Sequence, residues 1–473
     1  MGVLSKMRNI HNQLFLFIGI YTAIFLIISC SITERQDPGG KIAFGAGLKL
    51  YKGDGVEKDY TKALQLLLKA DALGHFKASK YLCNIYYLGK GVDVNLNQAK
   101  KWCLRASENG FRSSQFTVGY MFYHGHGFSK DVQKAEYWYL KSAQKGSFKA
   151  QVNLGGIYAK GELGEKRFDE AAELYLKAAE KGDAKGQFRL GSLHLNSDWK
   201  KKNLTKALYW LRQSSDQDYP AAQFLLGVLH EGGERLTYRF YRFSRTYHSI
   251  EEKVTRDYSR AFFWYTKASN NGYVAAHTSL GRFYLKGFGT EKNIPKAIQL
   301  LKKAEQKGNI KAMYTLGNIY EFEKYGMKNI KKAIEFYKKA SILEHIDSQF
   351  RLGSLYFQRN KTKQDRFEAA KWFGKAAKKG SIDAQVKIGL MYLSGADIQR
   401  NFQKGINWLL KAAESGSARA CYLLGKAYLT EKDYESAIHW LKKAADSNYK
   451  GARESLKKLR EFLNSNNTFA KPV

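Results

Sequence analysis

Ser142-Ala143-Gln144-Lys145 spells an SxxK run, in which a lysine can take the proton of a serine nucleophile. Acyl transfer of that kind also uses Ser-Asp-Asn and Lys-Thr-Gly partners, and the sequence holds neither. His124-Gly125-His126 brings two imidazoles near one another, but no further Cys or His spacing completes a metal ligand set. Cys83 and Cys103 could form a disulfide in an oxidising compartment, or could stay as buried thiols. Residues 236–253 interleave Arg239, Arg242 and Arg245 with Tyr238, Phe240, Tyr241, Phe243 and Tyr247. Arginine among exposed rings is the composition of interface hot spots. The other reading is that these rings extend the flanking helices and pack on their own unit. No nucleotide loop, HExxH, GxSxG or paired-carboxylate pattern stands out, so the expectation is a non-enzyme with no cofactor and no metal.

One residue is placed for covalent modification. Lys6 and Arg8 precede an apolar run at residues 14–28, and Ile27-Ile28-Ser29-Cys30 follows. A basic start, a short apolar core and small residues before a cut make a secretory signal. The end of this stretch resembles a bacterial lipobox, in which Cys30 would become the first mature residue and carry acyl chains that anchor it in lipid. An uncleaved signal anchor using the same run is the alternative. Ser31 after Cys30, by resemblance to enteric sorting rules, favours an outer membrane and hence a cell-envelope location. No later apolar run is long enough to cross a bilayer.

The elements that position these residues repeat. A marker glycine or its substitute stands at Gly47, Cys83, Gly119, Gly155, Gly191 and Gly227, then at Gly281, Gly317, Gly353, Gly389 and Gly425. The step is 36 residues throughout except from Gly227 to Gly281, where it is 54 because of the insertion at 236–253. A fixed period of this length signals stacked structural repeats. Within each unit a first helix carries the marker and an aromatic three residues on, as at Phe122 or Tyr320. Glycine such as Gly125 ends it. Twelve residues after the marker an Asp or Asn is the expected N-cap of a second helix: Asp59, Asn95, Asp131, Asn203, Asn293, Asn329, Asp365 and Asn401. Asp257 and Asp433 serve with altered offsets, and Arg167 breaks the series. The second helix carries a small–large–small stripe, as in Ala171, Leu174 and Ala178, with Trp138 at the large position of another copy, and glycines such as Gly146 close it. The tryptophans of that stripe are expected to fill the gap between neighbouring pairs. An antiparallel pair of this kind cannot bury its apolar face alone and must stack.

The pattern LGxxYxxGxG, then KAxxWxxKAAxxG, then AQ is similar to the Sel1-like repeat, a relative of the tetratricopeptide repeat. Gly119, Phe122, Gly125, Gly127, Ala135, Trp138, Gly146, Ala150 and Gln151 carry it in one copy. The resemblance implies an all-α, right-handed solenoid superhelix of about eleven repeats that scaffolds other proteins. The expected organisation is a signal with lipobox at 1–29 and a linker at 30–40. The repeats fill 41–450, a capping helix 451–463, and a disordered tail 464–473.

Net charge is +36 over 473 residues. Lysine-rich helix backs, such as Lys302 and Lys303, account for much of it as a solvated face. The sharper reading is a surface that meets an acidic protein, anionic lipid or an acidic polysaccharide. Nucleic acid would match the charge, but the export signal argues against it. The expected role is a membrane-anchored scaffold that assembles an envelope or export complex, or an exported factor that binds a host protein. A cell-wall or β-lactam hydrolase is the rival of another class.

Overall fold

The computed structural model describes residues 38–232, 255–359, 362–395 and 398–465. These hold 23 α-helices and no strand. The chain divides into two compact units, the first ending at Ala222 and the second starting at Gln223, inside the helix Pro220–Gly232. In each unit, helices pack against their neighbours in sequence as antiparallel pairs. First helices of successive repeats also touch directly, as do Phe148–Lys160 and Ala184–His194 in the first unit and Val274–Lys286 and Ile310–Glu321 in the second. First helices of adjacent repeats thus lie side by side at these points in each unit. The architecture is an α-solenoid.

The Asp/Asn series caps second helices as expected. Asp131 Oδ1 accepts from Lys134 N at 2.9 Å, and Asn203, Asp257, Asn293, Asn329 and Asn401 repeat that bond. Asp365 is different. The helix Lys363–Lys378 starts earlier, Thr362 is its N-cap, and Asp365 returns a bond to the Thr362 amide in a capping box. Arg167 caps nothing with its side chain. It lies 3.9 Å from the Tyr158 ring centroid and pairs with Glu136 and Glu170, while Glu170 accepts its own backbone amide.

The core is set by a residue that the helical stripe did not single out. The tryptophans Trp138, Trp210, Trp264, Trp408 and Trp440 are only half-buried, although Trp102 and Trp372 are buried. The fully covered position is one residue later: Leu67, Tyr139, Tyr175, Leu211, Tyr265, Leu301, Tyr337, Phe373, Leu409 and Leu441. Each presses on the marker glycine of its own unit. A Cβ added to Gly155 would sit 2.7 Å from the Tyr175 ring, and one added to Gly119 2.7 Å from the Tyr139 ring. The marker is glycine because a ring or leucine occupies the space of its side chain. Cys83 and Cys103 hold these two positions in the second repeat, and there they form a disulfide with a Cα–Cα distance of 4.6 Å.

Glutamines of the AQ motif join one repeat to the next. Gln115, Gln151, Gln187, Gln349 and Gln385 each donate to the carbonyl eight residues back, at the end of the preceding helix, over 3.2–3.4 Å.

Candidate partner-binding groove

Ser142 is fully buried, and its Oγ donates to the Arg112 carbonyl at 2.8 Å. Lys145 Nζ donates to the Gly110 carbonyl at 2.6 Å. Both residues of the SxxK run are therefore engaged in tying the C-terminal end of the helix Val132–Gln144 to the start of Arg112–His124 and the turn before it. Cys30 and the insertion residues Tyr238, Arg239, Phe240, Tyr241, Arg242, Phe243, Arg245 and Tyr247 lie outside the described residues.

His124 and His126 lead to the groove. His126 Nδ1 is 3.2 Å from the Tyr87 hydroxyl, and the His124 ring lies 4.1 Å from that of Tyr120. Desolvation, then the charges of His126, Lys130 and Lys160, lower the His124 pKa. His124 is one wall of a groove of about 340 Å³ that runs across three successive first helices of the first unit: Arg112–His124, Phe148–Lys160 and Ala184–His194. Tyr120, Tyr123 and Tyr139 line it together with Lys160, which reaches the Tyr123 hydroxyl, and with Lys185 and Arg189 from the third helix. Gly156 and Ala159 form the floor beside Tyr175.

The groove's charges are unequal in their partners. Lys160 Nζ pairs with Glu162 at 3.0 Å and donates to the Tyr123 hydroxyl at 3.2 Å. Arg189 and Lys185 form no ion pair with any described residue. Partial burial, then the neighbouring Arg189, lowers the Lys185 pKa. The Tyr175 ring is buried, and its hydroxyl makes no hydrogen bond among the described residues. Burial holds its pKa up at about 12, so the hydroxyl stays protonated at neutral pH and can donate. The arrangement offers a guanidinium, an ammonium and a phenol donor with no nucleophile beside them, which suits recognition of an anionic group. Sequence reasoning passed over these residues because none belongs to a motif.

A larger hollow, about 690 Å³, lies in the second unit between the helices Lys363–Lys378 and Phe402–Glu414. Its Lys371 is paired with Glu368 and its Arg400 with Glu431.

Comparison with known proteins matches this repeat directly. The Sel1 repeat family matches residues 43–75, 77–111, 112–147, 148–183, 184–219, 220–238, 247–273, 274–309, 310–345, 346–381, 382–417 and 418–449. The structure of a protective antigen present in uropathogenic Escherichia coli strains, which displays an SLR fold, is similar with a TM-score of 0.58. It is 26% identical, over 91% of this chain and 90% of that one. A Sel1 repeat protein from Oxalobacter formigenes is 27% identical over 55% of this chain and 96% of its own, with a TM-score of 0.46. No curated protein matches. Sel1 repeat proteins are in general protein-interaction scaffolds, and their all-α solenoid is typically non-catalytic. With twelve matched segments spread from residue 43 to residue 449, the chain belongs to the Sel1 repeat family.

Proposed function

We propose that this protein is an exported, lipid-anchored and non-catalytic scaffold, which holds an acidic protein partner against its first helices and so helps assemble a cell-envelope or export complex. The observation that carries the reading is the first-unit groove, where Arg189 and Lys185 form no ion pair among the described residues, although the Asp183 carboxylate lies near Lys185. A net charge of +36 favours an acidic partner over the whole chain. Export is supported by the signal-like residues 1–29 and by the Cys83–Cys103 bridge, since such bridges persist in oxidising compartments.

The test is mass spectrometry of protein extracted from membranes, combined with cross-linking. The expected result is acyl mass on Cys30 and cross-links from the first helices to an acidic protein. An unmodified N-terminus would remove the anchor, and an absence of protein cross-links would remove the scaffold. Fluorescent penicillin is expected to leave the protein unlabelled, whereas covalent label on Ser142 would restore the hydrolase reading. A second reading, binding of a host protein, draws on the similarity to the uropathogen antigen and would be favoured by cross-links to host rather than bacterial protein.

A further inference from the structure

The second unit holds a template for the groove of the first. Tyr337 occupies the covered ring position of its repeat, and its hydroxyl is 2.5 Å from Glu321 Oε2 and 2.6 Å from Asn318 Oδ1. The same glutamate pairs through Oε1 with Arg351 of the following first helix, at 3.5 Å. A related trio stands two repeats earlier, where the Tyr265 hydroxyl donates to Glu231 at 2.7 Å, both at the registers of Tyr337 and Glu321, and Arg282, three positions beyond the register of Arg351, reaches both carboxylate oxygens through Nη2 at 2.6 and 2.7 Å. Phenol, carboxylate and guanidinium thus recur as a bridge between successive repeats.

Counting from the markers Gly155 and Gly317 puts Tyr175 at the register of Tyr337 and Arg189 at that of Arg351. The phenol and the guanidinium are kept. The residues between them are not: Ala159 stands at the register of Glu321, and Gly156 at that of Asn318. The two smallest side chains stand where that repeat has a carboxylate and an amide, and the space those groups would fill is open as the groove. No described residue takes over: the Tyr175 hydroxyl and Arg189 have no acidic partner among the described residues. A buried phenol and a cation placed as in the repeat that holds a carboxylate, with no carboxylate between them, make a site that a ligand from outside can fill.

We infer that the groove takes a glutamate side chain of the acidic protein partner, seated over Gly156 and Ala159 between the Tyr175 hydroxyl and Arg189, with Lys185 adding a second positive charge. This rests on the scaffold reading and specifies its contact. The carboxylate would occupy the place that Glu321 occupies within the chain. Gly156 matters because any larger side chain there would narrow the floor beside Tyr175.

The experiment uses the full-length protein and a fluorescent peptide with glutamates spaced by glycine and serine. A glutamine version serves as control, and a uronic-acid oligosaccharide is a further arm. The glutamate peptide is expected to bind at low salt, to weaken as salt rises, and to exceed the glutamine peptide by roughly tenfold or more. Arg189→Gln should cost a similar factor. Ala159→Glu is the decisive variant, because it supplies the missing carboxylate from the chain itself, in a register where the fold already accepts one. It should abolish peptide binding and raise the melting temperature. Equal binding of the two peptides, unchanged binding by Ala159→Glu, or preference for the oligosaccharide would each overturn the inference. If peptide binding is lost as expected but no protein cross-links to the chain in cells, the groove stands and the scaffold reading falls. If proteins cross-link but both variants bind as wild type, the reverse holds.

Discussion

At the scale of single residues, the marker glycine and its covered partner decide the packing of each repeat. Replacing Gly155 by alanine gains about 1 kcal/mol of helix propensity. It also drives a methyl into the Tyr175 ring, and overpacking of that kind costs roughly 1–3 kcal/mol. The expected net loss is therefore about 1 kcal/mol, and urea unfolding of Gly155→Ala would measure it; a gain would mean that the ring yields freely. The disulfide gives the converse test. The double variant Cys83→Gly with Cys103→Tyr substitutes the pair used at Gly119 and Tyr139, so it should fold, whereas Cys103→Tyr alone meets the Cys83 side chain and should not pack. Far-ultraviolet and near-ultraviolet circular dichroism would separate the two outcomes. His194 adds a pH dependence. It is buried beside Trp199, and desolvation, then Lys206, lowers its pKa to about 4. The folded chain resists a proton that the unfolded chain accepts near pH 6.5. Stability is thus intact above pH 6.5 and declines as pH falls towards 4, by roughly 3 kcal/mol at most. Thermal unfolding of wild type and His194→Gln at pH 7 and pH 4.5 would show it: the wild type should lose more. Of these residues the markers were legible from spacing alone. The covered position was not, because Tyr, Leu, Phe and Cys share it and only contact with the glycine unites them.

At the scale of elements, helix starts and stops were the most readable feature, since an Asx cap or a terminal glycine acts through its own backbone. Gly182 ends one second helix with φ +83°, and Glu344 stands at the equivalent register of another with φ +62°. A left-handed backbone costs a side-chain-bearing residue roughly 1–2 kcal/mol, while glycine adopts it freely. Glu344 offsets this only through an exposed pair with Lys379 at 2.9 Å, and exposed pairs contribute about 0–1 kcal/mol. Glu344→Gly is therefore expected to stabilise the second unit, by up to about 1 kcal/mol, and a lower denaturation midpoint would refute the argument. Asp365 shows where local reading ends. Its offset suits an N-cap, but Thr362 three residues earlier completes a capping box, and the helix takes the earlier start. The groove was illegible for a different reason. Arg189, Tyr175 and Ala159 come from three helices, and the informative feature is that Ala159 stands where Glu231 and Glu321 stand in two other repeats, which becomes visible only once the repeats are superposed in register.

At the scale of the whole molecule, each repeat contacts mainly its sequence neighbours, so stability should be distributed along the chain instead of shared throughout. The most extensive contacts among the described helices are between consecutive ones, ion pairs such as Arg105–Asp71 and Lys339–Glu305 join second helices of adjacent repeats, and the chain divides into two compact units. A lesion in one repeat ought then to be felt by the next and to fade beyond it. Gly353→Ala supplies such a lesion, because the added methyl would lie 2.8 Å from the Phe373 ring. Hydrogen exchange followed by mass spectrometry is expected to speed up in the helices Ile346–Arg359 and Lys363–Lys378, and less in Ile330–Ile342 and Ile382–Ser394. The helices Ala78–Leu88 and Leu96–Glu108 belong to the first unit and are joined by the Cys83–Cys103 bridge, so their exchange should not change. Uniform acceleration across both units would mean that the chain unfolds as one cooperative body. In a scaffold with local stability, a partner seated on the first-unit groove would slow exchange in Phe148–Lys160 and Ala184–His194 while leaving the second unit free to engage something else.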